Sequence, residues 1–131
     1  MIAENVRLKF RLGDTWGSPV WAVLVHDQPV DLEDDWLVRV QARRRPEDAP
    51  VHEWTVQNGG LVLGRATVEY TATQQTVETS TIQMVNSAYK SATWLPFSAD
   101  FEVEISRGTG AQMERFTVVR GRISGLEDVT E

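Results

Sequence analysis

Between Phe97 and Ile105, apolar and polar residues alternate without a break. Phe97, Ala99, Phe101, Val103 and Ile105 fall on one face, and Ser98, Asp100, Glu102 and Glu104 fall on the other. A repeat of two is the signature of a strand with one buried and one wet face. Burying the five apolar side chains would contribute roughly 8–15 kcal/mol before chain entropy is set against it. The segment Arg107–Gln112 contains Gly108 and Gly110 and reads as a hairpin loop, with a return strand over Met113–Ile123. In that return strand Phe116 and Val118 share one parity, whereas Val119, Gly121 and Ile123 share the other. One extra residue flips side-chain parity, so a β-bulge is expected near Val118–Val119.

The same alternation recurs upstream. Val6, Leu8, Phe10 and Leu12 alternate with Arg7, Lys9 and Arg11, which predicts a strand with a basic outer face. Gly13–Pro19 follows as a turn, then the nearly all-apolar run Val20–Val25, which suits a strand covered on both sides, and a second turn at His26–Pro29. Trp36, Val38, Val40 and Ala42 are expected inward, with Leu37, Arg39, Gln41 and Arg43 outward. A shorter strand is expected over Val51–Val56 around Trp54, and Asn58-Gly59-Gly60 is a turn signal. Leu61–Leu63 and Ala66–Tyr70 make two short strands or one bent one. Strands at intervals of about 8–12 residues with turns between them predict an all-β, antiparallel sandwich of about 7–9 strands.

Thr71–Trp94 breaks the rhythm. Ser80-Thr81-Ile82-Gln83 has capping-box spacing, and Ile82, Val85, Tyr89 and Ala92 recur at helical intervals. The Thr, Ser and Asn content opposes a helix. Both a short helix around 80–92 and an extended excursion fit. Ser124–Glu131 is polar and acidic and reads as a flexible end or a docking segment of a single domain spanning 1–131.

Composition narrows the function classes. With no cysteine, disulfide scaffolds, zinc ribbons and thiol catalysis are excluded. A formal charge of −6 argues against general nucleic-acid affinity. No apolar run reaches the roughly 20 residues of a membrane-spanning helix. His26 and His52, the only histidines, stand in unrelated contexts, and no nucleophile elbow, phosphate loop or HExxH motif is present. The sequence therefore points away from an enzyme and implies no cofactor. Asp31, Glu33, Asp34 and Asp35 are oxygen donors close in sequence but lack calcium-loop spacing, so no metal site is assigned.

The order Val6–Leu12, Gly13-Asp14-Thr15-Trp16, Pro29-Val30-Asp31-Leu32 and Val38–Arg43 resembles a family of small tailed-bacteriophage structural proteins. The similarity is greatest to the N-terminal domain of phage baseplate upper proteins. Trp54-Thr55 with Asn58-Gly59-Gly60, then Phe101–Glu104, Gly121-Arg122-Ile123 and Asp128-Val129-Thr130 continue the pattern. The resemblance implies an immunoglobulin-like sandwich, a non-enzymatic part of the virion tail or baseplate that is assembled in the host bacterial cytoplasm. Its partners would be other tail proteins and copies of itself, with no nucleic acid or membrane. Two departures stand out: a long Thr71–Trp94 excursion, and Leu95-Pro96-Phe97 without the glycine that usually follows the leucine-proline.

Six residues are candidates for partner contact: Trp16, Arg43, Arg44, Arg45, Tyr89 and Trp94. The arginines would meet an acidic surface, unless Glu47 and Asp48 neutralise them locally. Trp16 and Trp94 lie in turns, where an indole either caps the sandwich end or anchors a partner. Stacking of those indoles on sugar rings would make the chain a carbohydrate-binding module, the alternative function. The basic Val6–Leu12 face and the acidic Phe97–Ile105 face could also pair between neighbouring subunits.

Overall fold

The structure, a computed structural model, describes residues 3–70 and 74–127. It is an all-β sandwich. Seven strands have four residues or more: β1 (Ala3–Arg11), β6 (Leu37–Arg43), β7 (His52–Thr55), β8 (Leu61–Tyr70), β9 (Gln75–Asn86), β10 (Phe97–Arg107) and β11 (Glu114–Leu126). Four two-residue strands lie between β1 and β6: β2 (Trp16–Gly17), β3 (Trp21–Ala22), β4 (Leu24–Val25) and β5 (Gln28–Pro29). One sheet has the order β1-β11-β10-β6-β7; in the other, β9 pairs with β8, β2 and β3.

β10 is the middle strand of the five-stranded sheet, and its burial alternates as the sequence predicts from Phe97 to Val103. Phe101, Val103 and Ile105 pack with Val40, Trp54, Ile82, Met84 and Ile123 in one contiguous core. Opposite β10 the bulge sits at Val118, since Val103 pairs with Val119 whereas Glu104 pairs with Thr117. The His26-Asp27 turn has positive φ at both residues (49° and 61°), the geometry that closes the two-residue hairpin β4–β5.

Three features differ from expectation, and one open alternative is resolved. β1 runs parallel to β11, although every other neighbouring pair is antiparallel; a single strand's pattern does not reveal its partner's direction. The run Val20–Val25 breaks into β3 and β4, burying Val23 but leaving Val20 and Ala22 exposed, so it is covered on one side only. Of the two readings open for residues 80–92, the extended one holds over 80–86 and the helical one only at 88–91. Ile82, Met84 and Asn86 point into the core, and Ser80 accepts the Leu32 N–H at 2.8 Å instead of capping a helix. Pairing on both edges of β9 outweighs the weak helical periodicity. The only α-helix among the described residues is the single turn α1 (Ala88–Ser91), capped by the Ser87 hydroxyl, which accepts the Lys90 N–H. Finally, Ser124–Leu126 belongs to β11; the rest of the expected flexible end, beyond Glu127, lies outside the described residues.

Candidate functional site

β1, β6, β9 and β11 finish at one end of the sandwich, where β7 and β10 begin, and the aromatic side chains collect there. Phe10, on the inward face of β1, has Trp16 at 5.0 Å, Phe97 at 5.9 Å and Trp94 at 6.1 Å between ring centroids. Trp94 stacks on His52 at 3.7 Å and stands edge-on to Trp54 at 5.9 Å. Trp54 is fully buried, and its Nε1–H donates to Asn86 Oδ1 at 2.9 Å.

Hydrogen bonds tie the end loops to this cluster. The Ser91 hydroxyl, at the end of α1, accepts the Gly13 N–H at 2.9 Å, fastening the β1–β2 turn to the β9–β10 connection. The Trp94 N–H bonds the Ser91 carbonyl at 3.0 Å. The platform is therefore braced by both backbone and rings.

The connection that carries Trp94 also carries the two most exposed large hydrophobic side chains among the described residues, Tyr89 (91% exposed) and Leu95 (79%). Arg44 and Arg45 are exposed on the β6–β7 loop at the same end of the sandwich, and Lys90 follows Tyr89 on α1. The His52 imidazole is held below its ordinary pKa, first by burial and then by the positive charges of Lys90 and Arg44.

The six candidate residues thus divide. Trp16 and Trp94 are half-buried members of the ring cluster and cap the sandwich end. Arg44, Arg45 and Tyr89 face solvent, and among the described residues the two arginines make no ion pair. Arg43 points onto the outer sheet face, donating to Gln41 Oε1 at 2.6 Å and to the Asp48 main-chain carbonyl. Among the described residues none of the three arginines is ion-paired with Glu47 or Asp48. Leu95 and His52 were missed as members of the site. Leu95 is an apolar residue before a proline in a connection, a signal available in the sequence, whereas His52 is recognised only from the ring that it meets.

The basic and acidic strand faces lie on the same sheet, with β11 between them. Asp100 bonds Arg122 at 3.0 Å, and Glu104 bonds Arg39 at 3.2 Å and Arg115 at 3.3 Å, so two of the three acids on β10 are already paired within the chain. Only Glu102 of that set is without an ion pair among the described residues. In the acidic corner, Asp31 Oδ1 accepts the Glu33 N–H and Oδ2 accepts from Arg65, each at 3.1 Å. Among the described residues no three His, Asp or Glu side chains stand together as a metal-binding group. Comparison with protein-family models, curated proteins and solved structures finds no match to this chain.

Proposed function

We propose that this chain is a non-enzymatic structural component of a bacteriophage virion, placed in the tail or baseplate and held by protein–protein contacts. The observation that carries the reading is the exposed pair Tyr89 and Leu95 in the connection that holds Trp94 against His52, at the same end of the sandwich as Lys90 and the exposed Arg44 and Arg45. An exposed aromatic ring and an exposed apolar side chain, with arginines at the same end of the domain, are ingredients of a protein-binding hot spot. These cations suit an acidic patch on a neighbouring tail protein. The resemblance to the tailed-phage family supplies the virion context.

Sugar recognition is the second reading, and it now rests on a different residue. One face of Trp94 is covered by His52, and Trp16 lies against Phe10, so Tyr89 is the ring best placed to stack on a sugar. Labelled-antibody electron microscopy of phage particles carrying the protein is the test. Label on the distal tail supports the proposal, and loss of label from particles assembled with Y89A/L95A ties it to this surface. Unlabelled particles, with an antibody that recognises the purified protein, would overturn it; glycan-array binding lost in Y89A would then establish the second reading.

A further inference from the structure

β8 is a ten-residue strand with one partner. Its even-numbered residues face β9: Val85 N–H bonds the Gly60 carbonyl, and the register continues through Val62↔Gln83, Gly64↔Thr81, Ala66↔Thr79 and Val68↔Val77. In an antiparallel ladder the intervening residues turn their N–H and C=O the other way. The far side of β9 confirms the phase, because Met84 and Ser80 use their backbone groups on Ser18, Val23 and Val30. Leu61, Leu63, Arg65, Thr67 and Glu69 therefore present a row of main-chain donors and acceptors along the sheet edge, unpaired with any other strand among the described residues.

A long unprotected edge invites a further strand, and the side chains along this one are self-complementary. Around a twofold axis through Thr67, an antiparallel copy would set Arg65 opposite the copy's Glu69, Glu69 opposite its Arg65, and Thr67 opposite Thr67. Opposite-charge and Thr–Thr cross-strand pairs both favour a ladder. Moving the axis to residue 65 or 69 would oppose like charges. Glu69 makes no ion pair among the described residues, and Arg65 spends one Nη on Glu78 and the other on Asp31, both on the surface. Each of the three pairs at Arg65, Thr67 and Glu69 exchanges two main-chain hydrogen bonds, about six in all.

We infer that β8 is a homodimerisation edge, pairing antiparallel with β8 of a second copy in the register that matches Arg65 with Glu69. The inference stands on the strand edge and not on placement in a virion, so a dimer found for a protein absent from phage tails would leave it intact.

Sedimentation velocity across micromolar to millimolar concentrations tests it, with three variants. T67P removes a donor that points away from β9, so the intrachain ladder is kept, and proline is tolerated on such an edge. The wild type is expected to dimerise as concentration rises, T67P to weaken association at least tenfold with an unchanged far-ultraviolet spectrum, and E69R to weaken it likewise. R65E/E69R, which restores opposite charges across the axis, is expected to recover association. A wild type monomeric over the whole range would overturn the inference. So would a T67P variant that is folded and dimerises as the wild type does.

Discussion

Gly121 pairs with Val6 in the parallel β1–β11 ladder, and replacing it with alanine should detach β1. A Cβ at this position would stand 1.8 Å from the Val6 carbonyl oxygen, 2.6 Å from its carbon and 2.7 Å from its nitrogen. Real Cβ contacts almost never fall under 3.0 Å, so the two backbones must separate by at least 1.2 Å. No side-chain rotation relieves the clash, because the three nearest atoms are all main chain. A shift of that size stretches the flanking ladder bonds, at Arg7↔Arg122 and Leu8↔Ile123, past about 3.5 Å. Two or three such bonds are worth about 1 kcal/mol each, and loosening Leu8 and Phe10 from the core adds about 1–2 kcal/mol. G121A should therefore cost about 3–5 kcal/mol in urea unfolding, a large share of the 5–15 kcal/mol typical of a domain. Hydrogen exchange of the Leu8–Arg11 amides should accelerate well before that of β10. G125A is the control: its Cβ would meet Phe97 Cε1 at 2.7 Å and Leu12 Cδ2 at 3.0 Å, side-chain ends that can move, for about 1–2 kcal/mol. A G121A protein within about 1 kcal/mol of wild type, with β1 amide protection unchanged, would refute the reasoning.

Three further outcomes are expected. The buried pair of Trp54 Nε1 with Asn86 Oδ1 should show a coupling of about 1–2 kcal/mol in a W54F/N86L double-mutant cycle, because each single change strands the other polar group; additive effects would exclude a net contribution from the bond. His52 has a folded-state pKa below its unfolded value of 6.5, so the unfolded chain takes up the proton first. Stability is then full above pH 6.5 and falls as pH drops through the depressed folded value, a slope read from urea midpoints at pH 7.5 and 5.5 that H52Q should lose. Y89A should leave the unfolding free energy within about 0.5 kcal/mol of wild type, since its side chain is in solvent, while reducing pull-down of tail components by the intact protein.

What could be read without coordinates was local in origin. The alternation in β1, β6 and β10 follows from which neighbours along one chain must share a face, and the parity break at Val118-Val119 announces a bulge for the same reason. The turn at His26-Asp27 and the inward position of Trp54 were likewise legible. Residues 80–86 were not, because their Thr-rich stretch satisfies two patterns weakly, and β9 owes its extended form to strands on both of its edges. The candidate site mixes the two kinds of information. Trp16, Trp94, Tyr89 and the arginines stand out by type and position, but the convergence of Trp16 and Trp94 on Phe10 and of Trp94 on His52 depends on contacts between residues distant in sequence.

The pairing of the acids on β10 is the sharpest case. Sequence alone shows three acids on one face and three bases on another strand. Only the order β1-β11-β10-β6 decides that Arg122, Arg39 and Arg115 stand beside Asp100 and Glu104. Strand period, face polarity, turn chemistry and net charge are properties of neighbours along the chain, so the sequence by itself determined them. The parallel seating of β1, the strand nature of β9, the ring cluster and the free edge of β8 are properties of which strands meet. Tertiary structure decided those, because the free energy that selects them comes from burial and hydrogen bonds between segments distant in sequence.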